Sequence, residues 1–488
     1  MSPVVSLYIE IRRERTVAAT VMNKLTKAWK RHKTAVLMGV LRLFIYGMLA
    51  GLFFGLMAIN NWQIRGMSRT LATMLLTYIA MTIAMHAVYG GYAVGKKKSK
   101  PIISSMSLAT LTTDVVTYLQ LQIMSVTEEN SSLSLFGADL PWLLLCMVVQ
   151  VLLITLWVRL GNNFYFTINP PKRCLVILGA TDETESICRK IGVYRLQWKV
   201  ERVILWDDPR VRSAIQESEV VFLGSLPSQA KLDILQMCYD QHRDVLCKAQ
   251  LQDIMLSNAT QVVVDDAPFL EMIYGKMTLG QRILKRLMDV FFSALVLVIL
   301  SPLMLVIAVC IKLEDGGSIL FRQKRMTVAG NEFMICKFRT MREDDPDKPQ
   351  VSVSRGDDRI TRVGQILRRT RMDELPQFWN ILRGDMTLVG PRPEMLENVE
   401  KYKLALPTFV YREKMKAGLT GYAQIEGRYN TTPADKLMLD LMYIESFSIW
   451  MDVKLLFRTM TVFFKKDSTE GFDITEIQDD TRKPPMGA

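Results

Sequence analysis

Five long apolar segments constrain the fold of this chain more than any other feature of its sequence. Four of them lie in its first third, at Val36 to Asn60, Leu71 to Val94, Ile102 to Ser125 and Leu140 to Leu160. Each approaches the roughly 20 residues that an α-helix needs to cross the hydrocarbon core of a membrane. The sequence therefore predicts four transmembrane helices over residues 36–161, preceded by a basic N-terminus at 1–35.

The third apolar segment is the least hydrophobic of the four. Its polar residues are Thr112, Thr113, Asp114 and Thr117. A helix on the membrane surface is the alternative interpretation of this stretch. Asp114 either marks a polar pocket or is neutralised by helix packing, and we favour neutralisation because ionised groups inside membranes are costly.

The charges of the loops orient the predicted bundle. Lys and Arg are concentrated in residues 12–33, in 96–100 and at 159–173, whereas the loop 128–139 contains neither. Cytoplasmic loops carry the excess of Lys and Arg in membrane proteins. Both ends of the bundle are therefore predicted to face the cytoplasm.

The composition agrees with a membrane protein that has basic cytoplasmic surfaces. Of the 488 residues 49% are hydrophobic, and the formal net charge is +12. Nucleic-acid binding is the other explanation for such a charge, but the basic residues flank apolar segments and no nucleic-acid module is visible. The seven cysteines form no CxxC pair and the three histidines are scattered, which argues against disulfides and zinc. No cleavable signal peptide is expected in residues 1–34.

Residues 172–275 alternate β-rich and helix-like stretches, and this alternation predicts a parallel sheet of Rossmann type. The predicted strands are Cys174 to Leu178, Val200 to Leu205, Val220 to Leu223 and Val262 to Val264. A dinucleotide fingerprint needs three glycines after its first strand, and only Gly179 is present, close to Asp182 and Glu183. Two acidic groups would repel a pyrophosphate. We therefore predict a degenerate fold without an intact cofactor fingerprint, used for assembly or regulation.

An adjacent carboxylate pair, Asp373 and Glu374, follows the arginine-rich stretch 368–371 and precedes Pro376. A neighbouring guanidinium lowers the pKa of a carboxylate, and arginines can bind two phosphate oxygens at once. One carboxylate can then attack phosphorus while the other holds a divalent cation, which is the chemistry of phosphoryl transfer. The alternative is structural, because Asp373 three residues before Pro376 also fits a helix N-cap.

Three ordered motifs place this pair in a family context. They are KFRTM at 337–341, DELPQFWNILRGDMTLVGPRP at 373–393 and GLTGYAQIEGR at 418–428. These motifs resemble those of the monotopic phosphoglycosyl transferases. In layout the whole chain is similar to the large, polytopic members, the polyprenyl-phosphate sugar-1-phosphate transferases, which initiate bacterial capsule, O-antigen and exopolysaccharide synthesis. The resemblance in sequence covers residues 280–466 and implies a catalytic domain there.

The resemblance implies a reaction and roles for the motif residues. A sugar 1-phosphate would pass from a UDP-sugar to polyprenyl (undecaprenyl) phosphate, with release of UMP. Asp373 would be the nucleophile that forms an aspartyl-phosphosugar intermediate, and Glu374 would assist at the metal or the acceptor. Mg²⁺ is the expected cofactor, with Asp373 and Glu374 as its candidate ligands. We assign phosphate or nucleotide binding to Lys337, Arg339, Arg371, Arg392 and Arg428.

The fifth apolar segment, Val290 to Ile311, is long enough to cross the membrane. Both of its flanks are basic, however, and the domain that follows it must meet a cytoplasmic nucleotide substrate. Pro302 lacks an N–H and clashes with the preceding turn, so a kink is expected there. We therefore predict a re-entrant helix over residues 286–312, broken at Ser301 and Pro302, as the family resemblance also implies.

The rest of the catalytic region is predicted to be mixed α/β. Two short strands, Ile319 to Arg325 and Phe333 to Arg339, flank a turn, and an amphipathic helix spans Val363 to Arg371. We interpret the stretches 411–416 and 450–458 as interfacial helices on an anionic membrane, with amphipathic helices of purely structural role as the alternative. The polar tail 467–488 is predicted to be disordered.

These expectations combine into a multi-pass protein of the bacterial inner membrane. Its N-terminus, Rossmann-like domain and catalytic domain would lie on the cytoplasmic side, in contact with membrane lipids. A homodimer and contacts with other polysaccharide assembly proteins are the expected partners, and no nucleic acid is. Two alternatives remain open at this point: a catalytically inactive membrane scaffold of a polysaccharide assembly complex, and a nucleotide-sugar dehydratase, which would need the missing glycine fingerprint.

Overall fold

The structure, a computed structural model, describes residues 36–95, 97–125, 137–272, 277–342, 359–427 and 431–462. The predicted basic N-terminus at 1–35 and the predicted tail at 467–488 lie outside the described residues. The chain divides into two compact units. The first comprises Met1–Arg173 with Cys188–Glu201, and the second comprises Cys174–Ile187 with Arg202–Ala488.

The first unit contains four long apolar helices where the sequence predicts them. They are α1 (Val36–Met57), α2 (Arg69–Tyr89), α3 (Ser99–Met124) and α4 (Leu140–Ile168). α4 continues eight residues beyond the predicted end at Leu160. In this extension the polar side chain of Asn162 has a hydrogen-bond partner, because its Nδ2 donates to Ser99 Oγ at 2.7 Å. By length and composition, all four helices could cross a membrane.

α3 explains the polar residues of the third apolar segment. It packs against both α2 and α4, and Asp114 on it is fully buried. Gln150 Nε2 on α4 lies 3.5 Å from Asp114 Oδ1, and Thr113 and Thr117 donate to carbonyls of their own helix. The polar face of α3 is therefore an internal face of the helix bundle.

A parallel α/β region follows the four apolar helices in the chain. Its strands are β1 (Lys172–Leu178), β2 (Trp198–Leu205), β3 (Val220–Leu223) and β4 (Asp244–Cys247), in the spatial order β2-β1-β3-β4. β3 pairs in parallel with both β1 and β4. The helices are α5 (Thr184–Gly192), α6 (Val211–Glu217), α7 (Ser228–Asp240) and α8 (Leu251–Leu256). Apolar residues of β1, β3, α6 and α7 form the core of this region.

One predicted strand of this region is wrong in its placement. Val262 to Val264 belongs to β5 (Thr260–Val264), which pairs antiparallel with β6 (Ala267–Glu271) outside the parallel sheet. The fourth strand of the sheet is β4 instead. The two hairpin strands are joined by Asp265, whose φ of 59° is the left-handed conformation that a tight hairpin turn requires. In the sequence, the Asp265-Asp266 pair after Val264 indicates this turn, because aspartate is common in turns.

The remainder of the second unit is the mixed α/β region. It contains α9 (Leu279–Asp315), β7 (Leu320–Met326), β8 (Glu332–Phe338), α10 (Arg362–Thr370), α11 (Gln377–Arg383), β9 (Thr387–Val389), α12 (Leu396–Ala405), β10 (Gly418–Thr420), α13 (Tyr422–Glu426), α14 (Pro433–Glu445) and α15 (Ile449–Val462). β7 and β8 form the predicted hairpin, and β9 pairs in parallel with β10. Ile335, Ile381, Leu388 and Leu455 belong to its core.

The stretch 411–416, interpreted from sequence as an interfacial helix, is partly buried: Arg412 and Met415 are buried and Lys414 is exposed. A 3₁₀ helix covers Pro407–Lys414, and Phe409 and Arg412 within it are buried. Arg412 forms an ion pair with the buried Asp440 on α14. Charged and aromatic residues alternate there, as they do in an amphipathic surface helix, but Arg412 among them forms a buried ion pair.

α9 is the longest described helix, and both of its ends contact the same mixed α/β region. Near its start, Lys285 Nζ donates to Val389 O at 2.9 Å, and the Asp289 carboxylate accepts from Leu388 N at 2.9 Å. Near its end, Ile307 and Ile311 belong to one apolar cluster with Phe338 and Leu367. Between these contacts lie exposed apolar side chains, including Val298, Ile299 and Leu305.

The predicted interruption at Ser301 and Pro302 is absent from the helical backbone, which continues through both residues. Pro302 cannot donate to the carbonyl four residues earlier, that of Val298. Ser301 Oγ donates to Val298 O at 2.8 Å instead. The serine hydroxyl thus satisfies the carbonyl that the proline leaves without its usual donor, and the helix is maintained.

Candidate active site

The carboxylate pair lies in a tight turn between two short helices. α10 ends at Thr370, its C-cap residue Arg371 is left-handed with a φ of 55° and a ψ of 20°, and a 3₁₀ turn over Met372–Glu374 follows. α11 then begins at Gln377 after Pro376, which has no capping side chain. The interpretation of Asp373 as the N-cap of this helix is therefore wrong. Left-handed backbone at a non-glycine residue costs of the order of 1 kcal/mol, and here it aligns both carboxylates beside the β7–β8 hairpin.

Glu374 is held by two cations from distant parts of the chain. Lys337 Nζ on β8 donates to Glu374 Oε1 at 3.1 Å, and an Arg392 amine donates to the same oxygen at 2.9 Å. Burial alone would raise the pKa of Glu374, but the charges of Lys337, Arg392 and Arg371 keep that pKa well below its usual range. Glu374 is therefore ionised and fixed in position.

Asp373 differs from its neighbour in both contacts and electrostatics. Within the described part of the chain its carboxylate accepts no hydrogen bond. Burial raises the pKa of Asp373, and the adjacent charge of Glu374 raises it further, against the opposing charges of Lys337, Arg368 and Arg392. We had expected arginines to lower this pKa; burial and the second carboxylate outweigh them. A partly desolvated carboxylate without hydrogen bonds is a stronger nucleophile than a solvated one.

Arg392 is fixed by a layer of buried charges behind it. Arg412 donates to the carbonyl of Arg392 at 2.8 Å and forms an ion pair with Asp440 at 2.8 Å. Glu394, next to the loop, pairs with Lys436. The charge of Glu374 raises the pKa of Arg392 against the effect of burial. These contacts, together with the flanking prolines, hold the guanidinium beside the carboxylate pair.

The structure brings together some of the predicted phosphate-binding residues and separates others. Lys337, Arg371 and Arg392 surround Glu374. Arg339 is buried and forms an ion pair with Asp315 at the end of α9, so it serves that contact. Arg428 lies outside the described residues.

Sequence analysis missed several charged residues at the site. These are Arg325, Glu394, Arg412, Lys436 and Asp440. Their partners are far away in the chain: Arg412 and Asp440, for example, are 28 residues apart. The sequence contained one indication of these residues: Glu394 follows directly after the Pro391-Arg392-Pro393 motif and adds a charge to the same loop.

The residues present fit a magnesium ion that is shared with a substrate. Within the described residues, no group of three or more His, Cys, Asp or Glu side chains could form a cage for a metal ion. Mg²⁺ keeps several waters and is commonly bound by one or two carboxylates plus substrate phosphates. Asp373, which accepts no protein hydrogen bond in the described part of the chain, and Glu374 beside it meet that smaller requirement.

The carboxylate pair is flanked by residues that pack on the apolar helix. Met372 and Leu375, on either side of Asp373 and Glu374, contact the cluster formed by Ile307 and Ile311 of α9. The turn that carries the two carboxylates therefore packs against the apolar cluster at the end of α9.

The parallel α/β region has an acidic side chain at the position where related folds bind phosphates. The order of its sheet reverses between β1 and β3, and ligands bind such sheets at the carboxyl ends of those strands. Here the Glu183 carboxylate accepts from Ser225 N at 3.0 Å, from Ser225 Oγ at 2.7 Å and from Lys248 Nζ at 2.8 Å. Burial opposes ionisation, but these donors lower the pKa of Glu183 to about 2. Gly179 packs so closely that a Cβ would lie 2.2 Å from Ser225 O.

Comparison with known proteins agrees with the position of this site. The family model described as bacterial sugar transferase matches residues 280–466. UDP-glucose:undecaprenyl-phosphate glucose-1-phosphate transferase of Caulobacter vibrioides is 44% identical over 191 residues, which are 38% of this chain and 71% of that protein.

Two longer relatives match over a similar stretch. The enzyme of the same name from Escherichia coli K12 is 40% identical over 37% of this chain and 40% of its own length. UDP-N-acetylgalactosamine-undecaprenyl-phosphate N-acetylgalactosaminephosphotransferase of Aeromonas hydrophila is 40% identical over 36% of this chain and 43% of its own length. The match thus spans less than half of these two relatives. With the carboxylate pair, its cations and the adjacent apolar helix in place, the chain belongs to the bacterial sugar transferase family, as a polyprenyl-phosphate sugar-1-phosphate transferase.

Proposed function

We propose that the protein transfers a sugar 1-phosphate from a UDP-sugar to undecaprenyl phosphate, releasing UMP and forming undecaprenyl-diphospho-sugar. The observation that carries this proposal is the contrast between the two adjacent carboxylates. Glu374 is neutralised by Lys337 and Arg392, whereas Asp373 accepts no hydrogen bond in the described part of the chain. The names of the relatives supply the donor class and the acceptor.

The first step forms a covalent intermediate. An oxygen of Asp373 attacks the β-phosphorus of the donor, a new O–P bond forms, and the bond to the bridging oxygen breaks. UMP leaves with that electron pair, and the sugar phosphate remains on Asp373. Arg392 and Lys337 lie beside the attacking group, where they can stabilise negative charge on the transferring phosphoryl group.

The second step regenerates the carboxylate. A phosphate oxygen of undecaprenyl phosphate attacks the same phosphorus, and Asp373 leaves as the free carboxylate. Two successive displacements let one site serve a water-soluble donor and a lipid acceptor in turn. Bound to the donor diphosphate and held by Asp373 or Glu374, Mg²⁺ would neutralise charge on the leaving UMP.

We also propose that α9 is re-entrant, entering one leaflet and returning to the same side. Arg286 donates to the carbonyls of Ile381 and Leu382 at the end of α11, while Ile307 packs in the cluster that includes Leu375, just before α11 begins. A straight helix would separate residues 286 and 307 by about 31 Å, three times the length of α11 at about 10 Å. Pro302 is the position within α9 where a bend is expected.

In this arrangement the acceptor reaches the carboxylates from the membrane. In this proposal the exposed apolar side chains of α9 lie in lipid and Asp373 lies near the membrane surface; the packing of Met372 and Leu375 against the cluster that contains Ile307 and Ile311 supports it. The cytoplasmic orientation in the bacterial inner membrane and a homodimer follow as parts of the same proposal.

The test is release of UMP by the purified protein in nanodiscs with Mg²⁺, across a panel of UDP-sugars. We expect release with one class of sugar, increased by undecaprenyl phosphate and abolished by Asp373→Asn. UDP-glucose and UDP-N-acetylgalactosamine belong in the panel because relatives are named for them. A folded protein that releases UMP from none of these donors would refute the proposal and favour the inactive scaffold.

A further inference from the structure

The parallel α/β region contacts the mixed α/β region through α8. Ile254 on α8 is buried in an apolar cluster whose other buried members come from the mixed region. These members are Phe409, Leu437 and Leu441. Beyond the end of α8, Asn258 Nδ2 donates at 2.6 Å to the carbonyl of Glu445, the last residue of α14. The last carbonyls of a helix have no partner within it, so Asn258 caps α14.

The parallel α/β region itself holds α8 in place. Gln250 and Asp253 form a capping box at the start of α8, and the Gln250 amide donates to the carbonyl of Leu226 at 3.0 Å. Lys231 on α7 forms an ion pair with Asp253. The position of α8 is therefore set by the region to which it belongs, while its buried isoleucine packs in the other region.

α14 joins α8 to the buried charges behind Arg392. Residues four apart lie on the same side of a helix, and Leu437 and Leu441 form the side that packs in the cluster of α8. Asp440 lies one residue before Leu441, about 100° around the helix. From this neighbouring side it forms its ion pair with Arg412, which donates to the carbonyl of Arg392.

Phe409 provides a second link between α8 and the carboxylate pair. It belongs to the same cluster as Ile254, and the Arg412 guanidinium carbon lies 4.9 Å from the centroid of its ring. Arg412 donates to the carbonyl of Arg392, and Arg392 in turn donates to Glu374. Closely packed interiors transmit strain, so a change in the packing of α8 can displace the loop that carries Arg392.

We propose that Ile254 is a positioning residue for the transfer reaction: through α14 and Phe409, the parallel α/β region fixes the loop that carries Arg392. This inference rests on the proposed function, and no bond to Ile254 forms or breaks. Arg392 has to stay beside the carboxylate pair to stabilise the transferring phosphoryl group. Displacement of such a group by about 1 Å can reduce a rate by about a hundredfold.

The first experiment measures amide hydrogen exchange in the loop 390–395 of the full chain in nanodiscs. Ile254→Ala removes the apolar contact of α8, and we expect exchange in this loop to become at least about fivefold faster. Ile234→Ala is the matched control, because Ile234 is equally buried but belongs to the core of the parallel α/β region. Exchange of the loop in this control should match that of the native protein.

The second experiment measures UMP release by the same variants. We expect Ile254→Ala to lower kcat about tenfold and to leave the donor KM within about twofold, because Arg392 acts mainly in the transition state. Ile254→Leu, which restores the apolar volume, should recover kcat to within about twofold. Combined with Arg412→Lys, the loss should be smaller than the product of the two separate losses, because both variants loosen the same loop.

Three results would overturn the inference: unchanged loop exchange in folded Ile254→Ala, equal acceleration in Ile234→Ala, or independent losses in the double variant. If Ile254→Ala fails to fold, Asn258→Ala decides the question, since it removes the cap of α14 at an exposed position and must also accelerate exchange in the loop. A native protein that releases no UMP would refute the proposed function, whereas the exchange measurement would still test this inference.

Discussion

Asp373 and Glu374 are neighbours in sequence and differ in every physical respect that matters for their chemistry. Glu374 accepts from Lys337 and Arg392, and these charges keep its pKa low. Burial and the adjacent Glu374 raise the pKa of Asp373. One carboxylate is therefore a fixed negative charge that organises the cations. The other, Asp373, is a poorly solvated carboxylate that would lose its unfavourable negative charge on forming a bond to phosphorus.

Asp373→Asn tests this difference through both activity and stability. We expect donor-dependent UMP release to fall by at least about a thousandfold, because an amide cannot form the intermediate. A carboxyl group with a raised folded-state pKa favours the protonated, neutral form, so its ionisation costs stability at neutral pH. The neutral asparagine should therefore leave the thermal unfolding midpoint unchanged or higher. A lower midpoint would contradict our description of Asp373.

Glu374→Gln tests the coupling between the two groups. The nucleophile must be deprotonated, so the rate of the first step falls as the pH drops through the pKa of Asp373. Removing the charge of Glu374 removes one cause of the raised pKa and frees Lys337 and Arg392 to lower it further. The acidic limb of the pH–rate profile should therefore move to lower pH, measured as single-turnover UMP release. A limb that stays in place would show that burial alone sets the pKa.

At the level of residues, sequence analysis identified charged residues that share a short motif and missed those that come together only in the folded chain. Asp373, Glu374 and Arg392 lie within one motif, and Lys337 within another. Arg325 and the Arg412–Asp440 pair have no local signature, because their roles arise from contacts across 28 residues or more. For Arg339, phosphate binding stays a prediction from its motif position; in the structure its guanidinium forms an ion pair with Asp315.

Among the elements, α9 shows how a proline can be accommodated within a long apolar helix. A carbonyl without a donor is costly in lipid, where water is absent. Ser301 donates to Val298 O at 2.8 Å and so replaces the N–H that Pro302 lacks. The sequence predicts a break at Ser301 and Pro302, whereas the helix continues through both residues. The compensating role of the serine depends on its side-chain rotamer, which a sequence does not specify.

Ser301→Ala should destabilise the protein by about 0.5–1.5 kcal/mol, the usual net value of one hydrogen bond. The measurement is the free energy of unfolding in detergent or lipid, with Ser293→Ala as the matched control. Ser293 lies on the same helix and is fully buried, and its hydroxyl has no hydrogen-bond partner in the part of the chain that the structure describes. The control should be neutral or slightly stabilising. Equal effects in the two variants would show that the Ser301 bond contributes nothing specific.

The strands illustrate a different limit of sequence analysis. β1 and β3 contain apolar runs of four or more residues and were predicted in place, whereas the short β4, Asp244–Cys247, has only three apolar residues in a row and was missed. Val262 to Val264 looked like a buried strand, yet Val263 and Val264 are exposed in the β5–β6 hairpin. An apolar run predicts a strand; whether that strand joins a given sheet depends on the turn that follows it.

For the whole molecule, the main question is the side of the membrane on which each end of α9 lies. If α9 spans the membrane, residues before and after it face opposite compartments. If it is re-entrant, both face the cytoplasm with the carboxylate pair. The contacts of Lys285 and Asp289 with β9, and of Ile307 and Ile311 with Phe338 and Leu367, connect both ends of α9 to one folded region, and our proposal of a re-entrant helix rests on them.

Cysteine accessibility distinguishes the two arrangements. Arg282→Cys in the first turn of α9 and Lys324→Cys beyond its end place thiols at exposed positions, in a background in which the native exposed Cys247 and Cys310 are replaced by serine. A membrane-impermeant maleimide should label both new thiols in inside-out vesicles and neither in intact spheroplasts. Met67→Cys, a fully exposed residue between the first two helices, should show the reverse pattern. Labelling of Arg282→Cys and Lys324→Cys from opposite sides would establish a spanning helix. It would separate the Rossmann-type region from the carboxylate pair and leave Asp373 unable to meet a cytoplasmic nucleotide.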